Sequence, residues 1–198
     1  MTTTSAVPVL GAGAGRGREL RDAAVAAGGA LALMTVAAPV AVFGLLPAGF
    51  DGVAVLLLLG VVVLDVVVAV ALVRVLGGGL LARTAGALRL VYSAAFAVAV
   101  AQLLGPGGDD AFTRLWDASL LVFGLHLEAV GAALWRMPRR PRLVATLVSL
   151  AGVAYLTDSS LTALAPAWAE ATSGVTSACA MGELALAVWL LARAGRRA

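Results

Sequence analysis

Six long runs of apolar residues, separated by short polar or glycine-containing links, organise this chain. A helix crossing the hydrocarbon core of a bilayer needs about 20 mostly apolar residues. The runs meet that length at 22–46, 52–75, 80–104, 111–135, 143–164 and 170–192. The links carry helix breakers: Pro47 with Gly49, Gly77-Gly78-Gly79, Gly105-Pro106-Gly107-Gly108, Pro138 to Pro141, and Pro166. Links this short set each helix antiparallel beside the one before it. The pattern predicts an all-α, polytopic six-helix transmembrane bundle over residues 22–193. A flexible basic leader (1–21) is expected before it and a basic tail (194–198) after it. Pro39 and Gly44 fall in the outer half of the first run, where lipid tolerates a kink.

Composition agrees. The chain has 198 residues, 62% of them hydrophobic and 13% charged, and a mean hydropathy of +1.01. Soluble domains carry roughly 45–50% apolar and about 25% charged residues. A chain this short has too little interior to hide the excess, so lipid must cover it. The net charge of +3 arises at helix ends and therefore reflects topology, with no nucleic-acid partner implied.

Arginine placement orients the bundle. Twelve of the 14 arginines fall in the leader, the second-to-third link, the fourth-to-fifth link and the tail. The opposite links hold Asp51, Asp109, Asp110 and Glu170, with Arg114 nearby. The positive-inside rule then places both termini in the cytoplasm. Abundant Ala, Val, Gly and Arg without lysine fits a GC-rich bacterial genome, and hence a bacterial cytoplasmic (inner) membrane. The first run is long enough to be an uncleaved helix rather than a signal peptide. Gly11 to Arg18 imitates a phosphate-binding glycine pattern, but no strand precedes it as that chemistry requires.

The single cysteine, Cys179, excludes an internal disulfide and reads as packing material. The chain has one histidine, so neither a metal site nor a cofactor is expected.

Function is sought among the ionisable residues within the runs, because a charge at the bilayer centre costs about 2.5–3.5 kcal/mol even on lenient scales. Asp65 lies nine residues before Arg74, hence ~14 Å deep at 1.5 Å per residue. Arg89 lies six after Arg83, ~9 Å deep on an adjacent antiparallel helix. The two are nearly equidistant from the Gly78 turn, which predicts an Asp65–Arg89 pair. His126 and Glu183 each lie ten residues from a terminal arginine, ~15 Å deep, in the same layer.

A second, outer layer is expected to hold Asp117 and Asp158, with Tyr155 one turn from Asp158. Glu128 points about 200° around the helix from His126, so the two cannot share a partner. It shares a face instead with Asp117, Gly124 and Gly131. Thr172, Thr176, Cys179 and Glu183 form a polar stripe on the last helix. The acids Asp65, Asp117, Glu128, Asp158 and Glu183 outnumber Arg89 and His126, so some are expected to be neutral and able to donate a proton. The plainer reading is that these groups act as interhelical glue, at ~0.6 kcal/mol per hydrogen bond.

Phe123-Gly124-Leu125-His126-Leu127, Leu150 through Ser159 and Gly182 through Leu191 resemble signature stretches of a bacterial membrane family known as domain of unknown function 4386. Leu88-Arg89-Leu90-Val91 and Asp65 are similar to its pattern as well. The likeness extends over most of the chain after residue 25 and is densest over 120–191. It implies six helices and singles out Asp65, Arg89, His126, Tyr155, Asp158 and Glu183, but lends no activity. Glu128 departs from the apolar residue usual there.

Three functions fit these readings. In the first, the bundle binds a small or lipidic ligand, or relays protons, through Asp65, Arg89, His126, Asp158 and Glu183. Six helices make a small transporter, and a homodimer packed through the glycines of the fourth helix would enlarge it. In the second, Glu183 or Asp158 acts as a catalytic acid on an apolar isoprenoid-type substrate, with Tyr155 steering charge. No nucleophile elbow or metal-binding cluster points to hydrolytic or metal-assisted chemistry. In the third, the protein is a structural or regulatory membrane partner.

Overall fold

The computed structural model describes residues 12–138, 141–165, 168 and 181–195. Their regular structure is entirely helical: α1 (Ala12–Pro39) continues into a π-helical segment (Val40–Leu45), followed by α2 (Asp51–Val75), α3 (Leu80–Gln102), α4 (Gly108–Trp135), α5 (Arg142–Leu164) and α6 (Met181–Gly195). Five helices, α1 with its π extension through α5, are long and apolar enough to cross a membrane. This is a multi-pass membrane protein. Glu170, Thr172, Thr176, Cys179, Arg139, Arg140, Arg196 and Arg197 lie outside the described residues.

Within the described residues the apolar runs coincide with the helices except at two places. α1 starts at Ala12 rather than near Asp22, because Arg16-Gly17-Arg18-Glu19-Leu20-Arg21 contains good helix formers that carry the helix beyond the apolar slab. Pro39 has no N–H and its ring crowds the preceding turn. The kink expected there takes the form of π-helical turns, and the Leu46 N–H donates to the Ala41 carbonyl five residues back, at 3.0 Å.

Each helix packs against its neighbours in sequence, and α6 closes onto α1. Among the described residues no other two helices bring their backbones together, so the bundle is a closed ring in which α3 and α6 face each other across the middle. Little hydrophobic force drives helices together in lipid, where close contact comes from small residues. The inward stripe of α1 accordingly reads Ala23, Ala24, Ala27, Ala30, Leu31, Met34, Ala37 and Ala41. On the other side of the same helix Val25, Leu33, Val36 and Phe43 remain exposed to acyl chains.

A close crossing joins α4 to α5. A Cβ on Gly124 would come within 2.9 Å of the Gly152 carbonyl oxygen, and one on Gly152 within 3.0 Å of the Gly124 oxygen. Gly131 similarly receives Ser149. The glycine face of the fourth helix is therefore occupied within the chain, and it no longer argues for a homodimer. Between α2 and α3 the chain reverses through Gly77 (φ 86°) and Gly78 (φ 68°), a left-handed pair suited to residues without a Cβ. Arg83 Nε caps this turn, donating to the Gly78 carbonyl at 2.9 Å.

Candidate functional site

Helical periodicity aims the ionisable residues inward. On α3 the buried stripe runs Ala82, Ala85, Gly86, Arg89, Tyr92, Ser93, Phe96, Ala99 and Val100, with Arg89 at its centre. Asp65 holds the same place between Val61 and Val68 on α2, and His126 does so between Phe123 and Val130 on α4. Glu183 begins the stripe of Leu186, Ala187 and Leu190 on α6. Three alternate helices of the ring thus present a side chain to the guanidinium of a fourth.

Arg89 makes every expected contact. Its Nε donates to Asp65 Oδ1 at 2.8 Å, and its NH2 nitrogen lies 2.6 Å from the same oxygen. Its NH1 nitrogen lies 3.2 Å from both His126 Nε2 and Glu183 Oε1. The predicted Asp65–Arg89 pair is present, and the four residues predicted to share a layer form one cluster. His126 Nδ1 lies 2.8 Å from the Ala85 carbonyl oxygen. That oxygen only accepts and a guanidinium only donates. The ring must therefore carry its proton on Nδ1 and accept from Arg89 at Nε2, as a neutral imidazole.

The surroundings fix the cation further. The Arg89 Cζ lies 5.2 Å from the centroid of the Phe123 ring, in cation–π range. Tyr92 packs on Phe123 at 4.6 Å, and Tyr155 meets it edge-on at 5.2 Å with planes 78° apart. Beyond them Phe96, Trp116 and Phe112 continue an aromatic column toward the acidic-link end of α3 and α4. Ser93, one turn from Arg89, donates to the Val62 carbonyl at 3.1 Å and ties α3 to α2. Phe123, Tyr92, Ser93 and the Ala85 carbonyl were not identified from sequence. Tyr92 and Ser93 lie three and four residues after Arg89, so helical spacing alone puts them on its face.

Burial divides the cluster. Asp65 and Arg89 are 2% exposed and His126 0%, whereas the Glu183 side chain keeps 24%. Three members are sealed. Glu183 is the least buried of the four.

The remaining candidates lie elsewhere. Asp158 is half-buried on α5, close to Asp117 of α4. Ser159 donates to the Asp117 carbonyl at 3.2 Å and registers the two helices there. Tyr155 meets the cluster at Phe123. Glu128 diverges from His126 as expected and is wedged against Gly152 of α5, next to Ser149. No group of three or more His, Cys, Asp or Glu side chains able to hold a metal occurs among the described residues.

Residues 109–194 match the family described as "Domain of unknown function (DUF4386)". The match runs from α4 to the end of α6 and includes His126, Tyr155, Asp158 and Glu183. It stops short of Asp65 and Arg89, so the likeness is narrower than the motifs suggested. No curated protein and no solved structure matches the chain.

Proposed function

We propose that the bundle handles protons at its centre, in a bacterial cytoplasmic membrane with both chain ends in the cytoplasm. Glu183 takes up and releases the proton. Arg89 is the fixed cation that governs it, Asp65 anchors that cation, and His126 holds it in place without adding charge. The unequal burial of the four groups carries this reading. An arginine stays protonated in proteins, and Asp65 is sealed against it at 2.6 Å. The Glu183 carboxylate, less deeply buried than the other three groups, can give up its 3.2 Å contact and accept a proton. The cluster then passes from one net negative charge to none, and the only described polar link between α3 and α6 is released.

The test is proton flux. In liposomes loaded with a pH-sensitive dye, the wild-type protein should dissipate an imposed pH gradient, and Glu183→Gln should return the rate to that of empty vesicles. A wild-type rate equal to that of empty vesicles overturns the proposal.

A second reading, binding of a small or lipidic ligand, is favoured by the aromatic faces of Tyr92, Phe123 and Tyr155 around Arg89. An isoprenoid-type substrate protonated by Glu183 or Asp158, with Tyr155 steering charge, is the catalytic form of it. Glu183 suits that role better, since Asp158 belongs to the Asp117 layer. Mass spectrometry of lipids retained by the purified protein tests this reading: a prenyl species held by the wild type and lost in Glu183→Gln would support it.

A further inference from the structure

Two hollows meet at the arginine-rich end of the ring, and both are lined by Arg74. The first, about 390 Å³, is walled by the ends of α1, α2, α3, α4 and α6, and Arg74, Arg136 and Arg193 border it. The second, about 510 Å³, is a lateral groove between α1 and α2, floored by Val66, Val67, Val70 and Ala26. Among the described residues none of the three arginines forms an ion pair or a side-chain hydrogen bond. Arg193 is steadied instead by the Trp189 ring, 5.4 Å from its Cζ.

We infer that these hollows bind one anionic phospholipid, with its phosphate among Arg74, Arg136 and Arg193 and an acyl chain in the α1–α2 groove. The chemistry fits at both ends. Three guanidiniums with no counterion among the described residues border a mouth that is otherwise apolar, and Arg binds phosphate through its planar fork. The groove next to it offers exposed valines at acyl-chain depth. Glu19 and Asp22 also line the groove, and their charge repels a phosphate from it. The headgroup is therefore directed to the mouth and the tail to the valines. Arg74, shared by both hollows, sits where head and tail join. Basic pockets between transmembrane helices are a known means of selecting acidic headgroups.

The test compares lipids and variants by native mass spectrometry of the full chain, released from detergent with phosphatidylglycerol or phosphatidylcholine. Phosphatidylglycerol should remain bound and phosphatidylcholine should not. At about 1 kcal/mol for each basic residue near an anionic headgroup, Arg74→Gln should weaken retention about fivefold. Loss of all three arginines should weaken it roughly a hundredfold on the same basis. Arg83→Gln is the control, because Arg83 caps the Gly78 turn and borders neither hollow, and it should leave retention unchanged. An equal loss in Arg83→Gln means diffuse surface charge and overturns the site. Equal retention of phosphatidylcholine reduces it to an apolar groove and overturns it too. Displacement of the lipid by millimolar inorganic phosphate identifies a free-anion site and overturns the lipid assignment. If the triple variant fails to insert, the comparison of Arg74→Gln with Arg83→Gln decides.

Discussion

Replacing Arg89 with methionine keeps length and apolar bulk but leaves Asp65 as an unpaired carboxylate buried to 2% exposure. Removing one partner of a buried ion pair costs about 3–5 kcal/mol, whereas replacing both by well-packed neutral groups is often nearly neutral. Ordinary interhelical hydrogen bonds in membranes contribute only ~0.6 kcal/mol each. The two accounts therefore predict different thermodynamic cycles. If the cluster is a desolvated charge group, Arg89→Met should lose at least about 3 kcal/mol. Asp65→Asn should lose less, because Arg89 keeps Glu183 at 3.2 Å. The double variant should then be about 2–3 kcal/mol more stable than the sum of the singles, the upper range for coupled neighbours. Glu183 limits the penalty in the double variant, since a partly exposed carboxyl can protonate. Unfolding in mixed micelles, followed by circular dichroism, gives all four corners of the cycle. Single losses near 0.6 kcal/mol that simply add, the figure for ordinary glue, would refute the reasoning. A charge reversal at both positions should recover little, because an acid at position 89 would face Glu183.

Further outcomes follow from other contacts. Gly124→Ala places a methyl 2.8 Å from Leu156 Cγ and 2.9 Å from the Gly152 oxygen, and should cost about 1–3 kcal/mol by overpacking. Gly60→Ala meets no atom within 4 Å and should be neutral or slightly stabilising, so equal melting shifts for the two would show that the α4–α5 crossing is not tight. Nitrogen-15 chemical shifts of the labelled His126 ring at neutral pH should report a proton on Nδ1 and none on Nε2; the opposite tautomer would contradict the bonds to Ala85 and Arg89. With Cys179 replaced by alanine, single cysteines at Gly78 and Gly107 should react with an impermeant maleimide from opposite sides of the membrane, Gly78 from the cytoplasm. Labelling of both from one side would refute the antiparallel order of α2, α3 and α4.

Much of this was legible in the chain because depth in a membrane follows from counting residues. Asp65 and Arg89 flank the Gly77-Gly78 reversal at similar distances, so antiparallel pairing followed directly, and the same count put His126 and Glu183 in their layer. Counting gives height but not the partner around the ring. It therefore could not reveal that α6 closes onto α1, or that Arg89 reaches across to α6. Nor could it tell whether the glycines of α4 face a second copy or α5, since both contacts need the same small residues. The π-helical turns after Pro39 escaped for a related reason: proline marks a disturbance without specifying how the backbone absorbs it. The Ala85 carbonyl was invisible because any residue could supply that acceptor.

The chain order of the cluster bears on how the protein enters the bilayer. Synthesis delivers Asp65 one helix before Arg89, so the guanidinium arrives to find its counterion already waiting. His126 follows one helix later and braces it. Glu183 comes last, at the moment α6 closes the circle against α1. No stage of assembly obliges a naked cation to dwell in oil, and the carboxyl that completes the set is the one nearest the surface.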